Sequence, residues 1–164
     1  MQRHAGSGDR DGAPTGHMRS RFRFWWCWLI GVTMGVLLLG ISMVLEPGSN
    51  HQLLGLLLFA SPDAITAFEA PAVSYITLVH GVLGAVLFGW GVALLFVLLG
   101  PFRRGAREGW LTFAVSIVAW FVPDTAFSLW TGFWQNAVLN GVMALAFAIP
   151  LAATYPRHAS NPRP

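Results

Sequence analysis

Polar and charged positions in this chain gather into a few blocks, and between them lie four apolar runs, at residues 24–45, 73–99, 109–130 and 133–153. A helix that crosses a hydrocarbon core of ~30 Å needs about 20 residues, and each run is long enough. The pattern predicts an all-α fold: an integral membrane bundle of four spanning helices. The first run carries no charged residue. It exceeds the length of a signal-peptide core and lacks a small-x-small cleavage pattern near its end, so it reads as an uncleaved span. Between the first two runs, residues 46–72 contain HQLLGLLLFA. Ten residues, eight of them apolar, cannot cross a bilayer and are expected to form a short interfacial helix in the first outer loop.

The polar blocks set the boundaries and the orientation. Residues 1–21 are rich in glycine and charge and are expected to be a disordered cytoplasmic arm, because they cannot bury enough surface to offset ordering. Met18, just before RSRFR, is an alternative start to Met1. The membrane domain then covers 22–155 and a cytoplasmic tail 156–164. All ten basic residues are arginines. They occupy the N-terminal arm (Arg3, Arg10, Arg19, Arg21, Arg23), the link between runs two and three (Arg103, Arg104, Arg107) and the tail (Arg157, Arg163). The other two loops hold Glu46, Asp63 and Glu69 with no basic residue. By the positive-inside rule both termini are cytoplasmic and the protein belongs in the inner, cytoplasmic membrane. Trp25, Trp26, Trp28 and Trp110 then fall near the inner interface, and Trp130 and Trp134 near the outer one.

Composition agrees. The chain is 55% hydrophobic and 10% charged, too few charges to solvate that much apolar surface in water. A pI near 10.0 raises nucleic acid as a partner, but the arginines form no basic stripe and no nucleic-acid partner is expected. Cys27 is the sole cysteine, which excludes an intrachain disulfide and Cys-based metal sites within one chain. Haem b needs two facing histidines within the spans, and His80 is the only one there, so no cofactor is expected.

Helices in lipid associate through close backbone approach and polar contacts. Gly81, Ala85, Gly89 and Ala93 recur every four residues on the second span and are the candidate packing row, with a partner in this chain or in another copy. A second pattern is polar. In WFVPDTAFSLWTGFWQNAVLNGV, residues 120–142, Asp124, Ser128, Asn136 and Asn140 interrupt hydrocarbon-like sequence. At a rise of about 1.5 Å per residue, these four and His80 fall at comparable depths toward the outer face. An intramembrane carboxyl is costly and faces a partner. Asp124, His80, Asn136, Asn140 and Ser128 therefore form the candidate ligand or proton site, or alternatively interhelical hydrogen-bond glue. Pro123 leaves two local forms open: a third helix continued through a kink, or a separate interfacial turn capped by Asp124.

The segments GVLGAVLFGWGVALL (81–95) and WFVPDTAFSLWTGFWQNAVLN (120–140) resemble small four-span bacterial membrane proteins of unknown function, loosely allied to DoxX-like proteins. Gly89, Trp90, Asp124, Thr125, Ser128, Gly132, Asn136 and Asn140 carry the resemblance. It implies a fold and no mechanism; the proline before Asp124 departs from the pattern. No catalytic residue set or metal site is identified: a Ser128–His80–Asp124 triad lacks a nucleophile elbow, and phosphate loops, HExxH and paired carboxylates are absent. The expected function is that of a non-enzymatic membrane component, alone as a homo-oligomer or in a larger complex. The alternatives are a binder or carrier of a small lipophilic or cationic molecule, and a quinone-linked oxidoreductase subunit.

Overall fold

The computed structural model describes residues 15–59, 61, 63 and 67–159. Among them the chain is helical with no strand, in the order α1 (Thr15–Leu45), α2 (Pro47–Phe59), α3 (Ala70–Val97), α4 (Arg107–Trp130) and α5 (Trp134–Ala159). Four helices are long and apolar enough to cross a membrane, over Ser20–Leu45, Ala70–Phe102, Arg107–Trp130 and Trp134–Pro156. The 13-residue α2 is too short to do so. The all-α four-helix architecture read from the apolar runs is the observed one. Helices α1 and α5 extend past the apolar runs because a helix does not stop where hydrocarbon would. The expected disorder of residues 1–21 is replaced over 15–21 by the first turns of α1, and residues 1–14 lie outside the described set.

The chain runs up, across, down, up and down. α1 packs mainly on α3 and α4 on α5, α1 also meets α5, and α3 and α4 share only a thin seam. Both tight turns are made by a glycine whose positive φ ends the preceding helix. At Gly132 (φ 84) the amide of Phe133 donates to Ser128 O (2.8 Å) and that of Gly132 to Leu129 O (3.3 Å). At Gly105 (φ 77) Ala106 donates to Pro101 O (3.0 Å) and Gly105 to Phe102 O (2.9 Å). This paired arrangement satisfies end carbonyls and needs a residue without Cβ strain at the reversal. Before Gly105, α3 widens into a π turn over Leu98–Phe102, with Gly100 out of helical geometry ahead of Pro101. Proline cannot donate to the carbonyl four residues back, and its ring crowds it, so the ladder gives way there.

The end of the bundle holding the termini and the α3–α4 turn has an aromatic core. Phe102, Phe113 and Phe147 are fully buried beside Leu29, Leu98 and Leu151. Three indoles tie helices together around it. Trp26 Nε1 donates to Leu98 O (2.9 Å), Trp110 Nε1 to Leu151 O (2.9 Å) and Trp28 Nε1 to Ala146 O (3.0 Å). The last bond has a local cause: Ala146 lies four residues before Pro150, which has no N–H to offer. Trp28 supplies the missing donor from another helix, as an apolar surround requires.

Helices α1 and α3 approach each other backbone to backbone. A Cβ on Gly40 would come 2.6 Å from Phe88 N, one on Gly84 2.6 Å from Gly40 O, and one on Gly91 2.8 Å from Leu37 Cγ. The row Gly81, Ala85, Gly89 and Ala93 is not this contact. Ala85, Gly89 and Ala93 are exposed, and a Cβ on Gly81 or Gly89 would meet nothing within 4 Å. On a helix with a glycine or alanine at most turns, spacing alone does not single out the buried face. Within the chain, the face that α1 takes is that of Gly84 and Gly91.

Candidate functional site

At the opposite end of the bundle the polar residues divide into two groups. The first is built by the α4–α5 hairpin. α4 is helical without interruption through Pro123, so the separate turn capped by Asp124 does not form, and Asp124 and Ser128 stand one turn apart on one helix face. The short link at Gly132 reverses the chain at once. In an antiparallel hairpin, the first turn of α5 then meets the last turn of α4, and the next turns meet in order.

Asn136 accordingly faces Ser128 and Asp124: its Nδ2 donates to Ser128 Oγ (2.7 Å) and to Asp124 Oδ1 (3.1 Å). Ser128 Oγ donates back to Asp124 O (2.7 Å), with Asp124 Oδ1 at 3.3 Å. Ser128 is 3% exposed and Asn140, one turn deeper, 4%. Asn140 Nδ2 reaches Thr125 Oγ1 at 3.5 Å, the outer limit of a hydrogen bond. Three of the five predicted site residues (Asp124, Ser128 and Asn136) are thus directly bonded, and Asn140 borders them.

His80 does not join them. Its Nδ1 lies 2.8 Å from Ile76 O on its own helix. A carbonyl only accepts, so Nδ1 carries the proton, and in the neutral ring Nε2 keeps the lone pair. Equal depth in the membrane did not bring His80 to Asp124, because α3 and α4 are barely in contact. Instead, His80 meets His51 of α2, ring centroids 5.0 Å apart and planes at 63°.

His51 was not among the sequence candidates. The signal that could have found it is the interfacial helix itself: once HQLLGLLLFA lies across the bundle, its first residue sits above the span that holds His80. His51 is 9% exposed, and its Nε2 is buried with no hydrogen-bond partner. Burial, and then the neighbouring His80, hold its pKa below the usual histidine range. Asn50, beside it, anchors α2 to α1: its Nδ2 donates to Glu46 O (2.9 Å), and Ser42 Oγ lies 3.3 Å from its Oδ1.

Between these groups, Trp90 bridges the thin α3–α4 seam. Its Nε1 donates to Ser116 Oγ (2.7 Å) and its ring packs on Trp120 at 5.8 Å. Among the described residues no three His, Cys, Asp or Glu side chains come together as a metal-binding set. Comparison of the chain with protein-family models, with curated proteins and with solved structures finds no match.

Proposed function

We propose that this multi-pass helical protein is a non-enzymatic membrane component whose intramembrane polar residues serve as packing glue, kin to the small four-span DoxX-like group. One observation carries the reading: Asp124 spends its hydrogen bonds on Ser128 and Asn136 of its own hairpin. A ligand or proton site would gain from the second ionisable group that His80 was expected to bring, and His80 bonds elsewhere. Interhelical hydrogen bonds of this kind contribute about 0.6–2 kcal/mol each in a bilayer, enough to set a hairpin's register.

Two substitutions test the glue role. Asp124→Asn keeps an acceptor for Asn136 and should leave stability in detergent within ~0.5 kcal/mol of the parent chain. Asp124→Leu removes the acceptor and should cost about 1–3 kcal/mol. If Asp124→Asn folds normally yet abolishes the phenotype that the gene confers, the carboxyl acts chemically and the glue reading fails.

The proposal includes an orientation, with both termini and the α3–α4 turn in the cytoplasm and α2 on the outer face. It rests on the arginines, which lie in the arm, that turn and the tail. A reporter that works only in the cytoplasm should be active after Arg163 or within 103–107 and silent at Asp63. Activity at Asp63 would reverse the assignment.

A further inference from the structure

Among the described residues, two buried side-chain atoms lack a hydrogen-bond partner, Thr33 Oγ1 and His51 Nε2. Thr33 is fully buried on α1. His51 lies against a second imidazole, and a buried nitrogen without a partner is unfavourable there unless something binds it. The two rings hold complementary features. His80 donates Nδ1–H to the Ile76 carbonyl, the hydrogen bond by which metal-ligating histidines are commonly oriented, leaving Nε2 as the ligating nitrogen. His51 presents a buried, unpartnered Nε2.

The ring separation fits a shared ion. With both Nε2 atoms turned to one ion, metal–nitrogen bonds of ~2.0–2.1 Å and a further ~1.1 Å to each ring centre, the 5.0 Å between centres corresponds to a nitrogen–metal–nitrogen angle of about 105°. That lies between the square-planar and tetrahedral angles that copper and zinc adopt. A linear two-coordinate site would hold the centres about 6 Å apart by the same bond lengths.

We propose that His51 and His80 form a two-imidazole clamp for a borderline divalent transition-metal ion, of the copper or zinc class, that pins α2 onto α3. Both ligands offer imidazole nitrogen, the donor type that such ions prefer over magnesium or calcium. No third ligating side chain joins them among the described residues, so the protein supplies two ligands and the remaining coordination positions fall to exogenous donors that enter with the ion, since His51 Nε2 is closed to solvent without it. It stands on a different pair of helices from the Asp124 cluster, and its success or failure leaves the glue reading untouched.

The test uses Cu2+ as the probe on the full chain in detergent. The sequence has five histidines, so His4→Ala/His17→Ala/His158→Ala leaves His51 and His80 as its only imidazoles. This variant should bind one equivalent of Cu2+, with electron spin resonance showing coupling to two imidazole nitrogens. Adding His51→Ala or His80→Ala should weaken binding by at least the ~10- to 100-fold that even outer-shell changes cost. Absence of the two-nitrogen signal in the triple variant overturns the site. So does Cu2+ affinity that survives His51→Ala and His80→Ala together. Should either single variant fail to fold, the triple variant decides alone, because its two histidines are the native ones.

Discussion

The two ends of the bundle are held together by different means. At the end with the termini, the indole bonds join residues 72, 118 and 41 positions apart in the chain, around three fully buried phenylalanines. At the α2 end, the polar bonds join residues 8, 8, 12 and 15 positions apart. One end is assembled by contacts between distant segments and the other by contacts inside local hairpins. The His51–His80 and Phe59–Phe133 ring pairs are exceptions at the α2 end, since they link α2 to α3 and to the residue before α5. The difference teaches that the conspicuous polar residues of a membrane sequence can be the local ones. Here the segments are brought together by features that look ordinary in sequence: glycines, tryptophans beside arginines, and a proline late in the last span.

The sharpest way to break this comparison is at the α1–α3 crossing. Gly84→Leu places a side chain where the Gly40 carbonyl lies 2.6 Å from the would-be Cβ, and backbone cannot move aside as a side-chain tip can. A loss of about 3 kcal/mol or more is expected, at the upper end of overpacking costs. Gly89→Leu, in open space, should change stability by less than ~0.5 kcal/mol. Unfolding in detergent measures both, and equal losses would mean that the exposed row is a contact with another copy. A middle-sized effect is expected at Trp28. Trp28→Phe leaves the Ala146 carbonyl without its donor and should cost about 1 kcal/mol. Pro150→Ala restores a backbone N–H for that carbonyl, so the two changes together should cost less than the sum of each alone. Strict additivity in that cycle would show that the indole bond does not answer the proline. The smallest effect belongs to Thr125→Val, which removes the 3.5 Å contact from Asn140. A cost under ~0.5 kcal/mol is expected. A loss as large as that of Asp124→Leu would extend the working cluster to Asn140.

Sequence by itself determined how many helices there are and roughly where they lie, because twenty consecutive apolar residues have one low-energy form in hydrocarbon. It also placed Asp124, Ser128 and Asn136 together, since a helix face and a hairpin reversal are local geometry. It stopped at questions of azimuth. Depth along a helix follows from counting residues, but which way a face points depends on the neighbour it packs against. So His80 was matched to Asp124 by depth, and Gly81, Ala85, Gly89 and Ala93 were chosen by spacing. Tertiary structure alone decided that α1 takes the Gly84 face of α3, which turns the regular row outward. It alone laid α2 over the bundle so that His51 reaches His80, and it alone sent the Trp28 indole to the carbonyl that Pro150 leaves free. In each case the deciding quantity is the rotation of one helix against another. That rotation is set by how closely backbones can approach and which polar atoms would otherwise lack a partner.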